Sequence, residues 1–165
     1  MQQSIESMNQ KKTKASSHPA FLLAQVGAHA ASRFAERLAA LRLTPADAGI
    51  LRMLRAAAGV SQQELAARLG IHPSRLVAVL DELEDKGLVE RRSNLDDRRQ
   101  YSLHLTDKGT QALVEVGQLA HQHQDSLCAA LSLEERDRLA ELLQKIADEQ
   151  GLTRGVHPGY RWMKP

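Results

Sequence analysis

The sequence predicts a mainly α protein with one small β-hairpin set among its helices. Three observations carry that expectation. Apolar residues recur every three or four positions through most of the chain, which is the mark of one-sided helices. Helix-start signals precede these windows: Thr44-Pro45, Ser61 with Glu64, Pro73, Thr106, and Ser132 with Glu135. After Gly87 alone the period switches to two, with Tyr101, Leu103 and Leu105 alternating with Ser102 and His104. Composition agrees: the 165 residues are 42% hydrophobic, rich in Ala and Leu, and only 3% aromatic, a profile of residues that enter helices at low cost.

Residues 1–17 are polar and basic, with Lys11, Lys12 and Lys14 and no periodic pattern; a disordered, solvated tail is expected. From Pro19 to Arg42 the apolar positions Leu23, Val26, Ala30, Phe34, Leu38 and Leu41 form a single stripe on one helix. Thr44 then reads as an N-cap with Pro45 at the first helical position and Asp47 reaching back. Ile50, Leu51 and Leu54 form the buried face of that second helix, and Gly59 closes it.

Ser61-Gln62-Gln63-Glu64 has the form of a capping box and opens a short helix with Leu65, Ala66 and Leu69 inward. Gly70 ends it, and Pro73 starts another whose apolar positions are Leu76, Val79, Leu80 and Leu83, terminated by Gly87. Two capped helices joined by a glycine-containing turn predict a helix-turn-helix. The spacing Ala66, Gly70, Leu76 supports it. The small side chain lets the helices approach, the glycine supplies positive φ, and the leucine seals the pair.

The hairpin that follows is a wing. Arg91 and Arg92 stand at its base, Asn94-Leu95-Asp96-Asp97 at its turn, and Arg98 and Arg99 at its tip. Four arginines within residues 91–99 are the densest basic cluster in the chain. Net charge is only +2, so where the positive charge gathers says more than its sum.

Thr106 caps a long helix in which Leu113, Val116, Ala120, His123 (or Gln124), Leu127 and Leu131 recur at the spacing of helices that pack lengthwise on one another. Ser132-Leu133-Glu134-Glu135 opens a last helix with Leu139, Leu142, Leu143 and Ile146 on one face. The order divides the chain into the tail, a first dimerisation helix over 18–43, a winged helix-turn-helix over 44–106, C-terminal dimerisation helices over 107–150, and an irregular Gly/Pro-punctuated tail over 151–165. The flanking helices are not needed to close a winged domain, so a second copy of the chain is the economical cover for their stripes. A two-fold dimer presents two recognition helices one turn of DNA apart, and a pseudo-palindromic double-stranded operator follows from that geometry.

Other classes find little support. Cys128, the sole cysteine, rules out an intramolecular disulfide or a multi-cysteine metal site. No cofactor is implied. No signal-peptide pattern or membrane-length apolar run is present, so a cytoplasmic protein with no membrane partner is expected. There is no phosphate-binding glycine loop or nucleophile elbow to suggest an enzyme. Two Phe, two Tyr and one Trp cannot build a stacking platform for single-stranded nucleic acid. The remaining alternative is a winged helix used for protein contact, which has no need of clustered guanidinium groups.

The chain resembles the MarR (multiple-antibiotic-resistance regulator) family over about residues 20–148. The resemblance rests on Leu83-Glu84-Asp85-Lys86-Gly87-Leu88-Val89-Glu90-Arg91, on Asp97-Arg98-Arg99, and on Leu103-His104-Leu105-Thr106-Asp107-Lys108-Gly109. These match that family's L-E-x-x-G-L-V-x-R and D-x-R-x-x-x-x-x-L-T-x-x-G patterns. The resemblance implies a homodimeric repressor in which Arg99 enters the minor groove and Asp97 orients it. Ser74, Arg75, Val77 and Ala78 begin the recognition helix, with Arg75 the candidate for a bidentate guanine contact. In the family pattern position 78 often carries arginine; Ala78 departs from this, which shifts part of that role to Arg75. Ser61, Gln62 and Gln63 are candidate phosphate donors; Arg91 and Arg92 are candidate phosphate contacts, with a solvated strand face as the alternative, and Arg98 is a further DNA-binding candidate.

The resemblance also implies release by a small aromatic or heteroaromatic acid held between the dimer helices and the winged domain. His29, Arg33, Phe34, Asp47 and Arg55 are the candidate lining, each with the alternative of a plain helix-surface residue. Two other switches have weaker grounds. Cys128 is expected to be a buried mid-helix thiol rather than a redox sensor. His121 and Asp125, at i and i+4 with His123 between them, are expected to be solvated rather than metal ligands.

Overall fold

The computed structural model describes residues 18–93 and 101–157. Among these the chain runs α1 (Pro19–Ala39), α2 (Pro45–Ala56), β1 (Val60–Ser61), α3 (Gln62–Leu69), α4 (Pro73–Asp85), β2 (Val89–Ser93), β3 (Tyr101–Leu105), α5 (Asp107–Leu127) and α6 (Leu133–Glu149). It is the mainly helical winged helix-turn-helix arrangement that the periodicity predicts. The tail over 1–17, the wing tip with Asp97, Arg98 and Arg99, and the end of the C-terminal tail over 158–165 lie outside the described residues.

Each start signal has a physical counterpart. Thr44 accepts from the Asp47 amide at 3.1 Å and the Thr44 amide donates to the Asp47 carboxylate at 2.9 Å, a complete capping box. Ser132 and Glu135 form a second. At α3 only half of the expected box is made. Ser61 accepts from the Glu64 amide at 3.2 Å, but the Glu64 carboxylate turns to Arg68 one turn on, because the i+4 cation competes for the same carboxylate.

Other boundaries differ from the sequence reading. The first helix ends at Ala39, not Arg42: Leu43 donates to the Leu38 carbonyl across Arg42, which takes a left-handed φ of 54°. The long helix α5 ends at Leu127, so Leu131 lies beyond it and Cys128 is a half-buried C-cap residue rather than a buried mid-helix one.

The sheet holds a strand the sequence did not announce. β1 is two residues long and pairs antiparallel with β3 (Val60 opposite Leu103), while β2 pairs with the other edge of β3 (Val89 opposite Leu105), giving the order β1-β3-β2. Two residues are too short to show a period of two.

One core joins these elements. Leu38, Ile50, Leu51, Leu54, Leu65, Leu76, Leu80, Leu83 and Leu103 are almost wholly buried, each adding about 1.5–3 kcal/mol of apolar burial. Ala66 is fully buried between α3 and α4, and Gly70 takes φ 65° at the end of α3, as the helix-turn-helix spacing requires.

The two quoted motifs meet at one joint. Gly87 turns the chain with φ 70°, and Thr106 donates to the Gly87 carbonyl at 2.7 Å while capping α5 through the Gly109 amide at 2.9 Å. Gly109 is buried against the backbone of Leu88. A Cβ there would overlap the Leu88 carbonyl oxygen and come within 2.9 Å of its carbon. The glycine is thus required by close approach, not by backbone conformation.

Outside this core the flanking helices are poorly covered. In α1, Phe21 is 63% exposed. No residue of α6 is buried, and its apolar face of Leu139, Leu142, Leu143 and Ile146 is open to solvent.

Candidate nucleic-acid interface

Within residues 61–93, α4 packs against both α3 and β2, the first strand of the wing. α4 is set by its apolar face: Leu76, Leu80 and Leu83 point into the core, which turns Ser74, Val77 and Ala78 outward. His72 caps α4, its Nδ1 accepting from the Ser74 amide at 3.3 Å and lying 2.8 Å from the Ser74 hydroxyl. Arg75 is half-buried beside these residues. At α3 Gln63 is exposed, Gln62 half-buried, and the Ser61 hydroxyl occupied by its cap.

The charge on this surface is arranged in two halves. The N-terminal turn of α4 carries Arg75 and no acid, whereas Asp81, Glu82, Glu84 and Asp85 crowd its C-terminal half. Arg91 on β2 answers two of these acids. Its guanidinium donates to Asp81 at 2.6 Å and to Glu84, and its amide donates to Glu84 at 3.3 Å. Burial works to lower the pKa of Arg91, but the Asp81 hydrogen bond and the charges of Glu84 and Asp81 outweigh it and raise the pKa above its ordinary value.

Arg91 therefore braces the wing against α4 and masks acid near the surface; in this geometry it is not an outstretched phosphate ligand. Arg92 is exposed and bonded to Glu90 beside it on the strand. Asp81 had no place in the sequence reading and Glu84 stood there only as part of the family motif, although an arginine among phosphate candidates beside a helix with four acids was a signal to pair them.

A second cluster lies between α1 and α5. Phe34 and His123 pack ring to ring. Burial first, then the charges of Arg37, Arg33 and His29, holds the His123 imidazole below its ordinary pKa. The structure thus brings His29, Arg33 and Phe34 together with His123 and with Arg37, which donates to the Ser126 hydroxyl at 2.9 Å. Arg37 was missed, yet residues 29, 33 and 37 repeat at four and share a helix face.

Asp47 needs correction as an effector-lining candidate. It is 2% exposed and held by the Thr44 amide and by Lys86 Nζ at 3.4 Å, so its carboxylate is committed to closing α2. Arg55 is exposed on the last turn of α2. Asp125 accepts from Arg136 at 3.0 Å, and among the described residues no three His, Cys, Asp or Glu side chains stand together as a metal site.

A family model described as MarR family matches residues 41–100. The "Putative transcriptional regulatory protein for hcr operon" of Thauera aromatica is 36% identical over 111 residues, which is 67% of this chain and 67% of that one. The transcriptional repressor CouR, solved bound to a 23-mer DNA duplex, is 37% identical, with a TM-score of 0.70 over 78% of this chain and 92% of that one.

The chain belongs to the MarR family. A further member, the Mycobacterium tuberculosis MarR family protein Rv2887 in complex with salicylic acid, is 26% identical, with a TM-score of 0.64 over 80% of this chain and 98% of that one. As a MarR-type protein the chain is a DNA-binding transcriptional regulator and not an enzyme. Among the described residues no helix is long and apolar enough to cross a membrane.

Proposed function

We propose that the chain is a cytoplasmic homodimeric repressor that binds a pseudo-palindromic operator and leaves it when a small aromatic or heteroaromatic acid binds. The observation that carries the reading is the outward N-terminal turn of α4. Ser74, Arg75, Val77 and Ala78 stand on a helix locked into the core by Leu76 and Leu80, on the edge free of acid. Arg75 reads a guanine edge, and Gln62 and Gln63, with Ser61, meet phosphate at the start of α3. From the wing, Arg92 and Arg98 meet phosphate and Arg99, oriented by Asp97, enters the minor groove.

The dimer is supported by the open apolar faces of α1 and α6, which a second copy covers with the same faces. The effector reading is supported by the guanidinium groups of Arg33 and Arg37, with His29 beside them, around an aromatic pair, suited to an aromatic carboxylate. The DNA-bound CouR and the salicylate-bound relative lend each half of the reading a precedent.

A gel shift on the intergenic DNA beside the protein's own gene, at two salt concentrations, tests it. Tight binding that falls steeply with salt, weakens with Arg99→Ala and is reversed by salicylate is expected. No specific shift, or one indifferent to Arg99, moves a protein-binding winged helix to the front.

A further inference from the structure

The C-terminal end of α6 returns to the DNA-reading half of the chain. Gly151 takes φ 64°, and Gly151 and Leu152 donate to the carbonyls of Asp148 and Ala147, which closes α6 and reverses the chain. Arg154 then folds back on Asp148 at 2.6 Å. Gly155, at φ 72°, turns its carbonyl to the Arg52 guanidinium on α2, and Val156 packs half-buried against the common core. The segment comes to rest beside the helix-turn-helix turn, across a half-open cleft lined by Ala67, Arg68, Gly70, Gln150, Leu152 and His157.

This contact matters because α6 has so few others. None of its residues is buried within the chain. Its first turn is tied by Arg136, which donates to the Cys128 and Leu131 carbonyls and to Asp125. That anchor reaches only the end of α5. At its other end α6 is tied through residues 150–157 to Arg52 of α2 and, by Val156, to the core, with the turn that sets α4 across the cleft.

We propose that residues 150–157 are a strap that holds α6 in register with the helix-turn-helix, through the Arg52–Gly155 hydrogen bond and the Val156 plug. An element held at both ends moves with both, so the strap fixes the angle between the dimerising helix and the recognition helix. Its consequence for operator binding rests on the dimer reading above; its effect on local opening does not.

Hydrogen exchange read by mass spectrometry on the full chain tests the strap without DNA. In Arg52→Ala and Val156→Ser, amides of 67–71 and 143–150 are expected to exchange about tenfold faster than in wild type, with 109–120 unchanged. Arg52 is exposed, so its loss leaves the core intact, and Arg52→Lys, which keeps a donor, is expected to return exchange towards wild type. A change confined to 151–157, or one uniform along the chain, overturns the strap. Where the wild type binds operator, the same variants are expected to bind about tenfold more weakly while remaining dimeric by sedimentation, and unchanged affinity overturns the coupling.

Discussion

Phe34 and His123 stack across α1 and α5 with ring centroids 5.3 Å apart and planes inclined at 35°. The imidazole sits where burial and three neighbouring cationic side chains oppose its protonation. In the unfolded chain those neighbours disperse and the ordinary value near 6.5 returns. Well above that value His123 is neutral in both states and contributes no pH dependence. As pH falls through it the unfolded state takes up the proton first, so stability is lost towards acid. Denaturant midpoints from pH 8 to pH 5 are expected to fall less steeply in His123→Gln than in wild type. Equal slopes would remove the electrostatic account of this pair.

An aromatic carboxylate in the same cluster would offset the charges of Arg33 and Arg37. Saturating salicylate is therefore expected to raise the His123 pKa, read from the imidazole Cε1–H shift by NMR, and Arg33→Ala is expected to shrink the ligand-induced rise. No movement with ligand bound would place the effector elsewhere.

Gly109 is the sharpest stability test. The Leu88 backbone occupies the space a methyl group needs, so Gly109→Ala must push α5 away from the α4–β2 joint. A loss of about 2–4 kcal/mol is expected from urea unfolding. A loss under about 0.5 kcal/mol, the range of ordinary surface changes, would mean that the joint yields freely.

Arg91 ties β2 to α4 through Glu84 and Asp81 with a side chain 21% exposed. Partial solvation screens the pair, so a coupling energy of about 1 kcal/mol between Arg91→Ala and Glu84→Gln is expected from a double-mutant cycle in urea. Arg92 is more open and bonded to Glu90; Arg92→Ala is expected to show little stability effect but to lower the salt dependence of DNA binding.

Much of this architecture was legible because the signals were local. Thr44, Ser132 and Thr106 announce their helices through atoms within three residues, and Gly70 and Gly87 mark turns that need positive φ. What escaped was long-range. The partner of β1 is forty-three positions away at Leu103. The need for Gly109 comes from Leu88 across the α4–β2 joint, and the assignment of Arg91 from acids on a different element. Asp47 was read in two roles from one position, and burial decided for the cap.

The open faces of α1 and α6 give the dimer its own test. Leu142→Asp and Leu143→Asp place charge in the centre of the stripe exposed on α6. Each is expected to weaken self-association by about 2 kcal/mol or more, roughly thirty-fold, by analytical ultracentrifugation. Unchanged sedimentation would send the interface to another face.

Selection of bound duplexes from a random pool, followed by sequencing, tests the central claim most directly. Two recognition helices related by a two-fold axis are expected to enrich an inverted repeat whose half-sites lie about 10 base pairs apart, centre to centre. Enrichment of a single half-site, of a direct repeat, or of no sequence at all would contradict it.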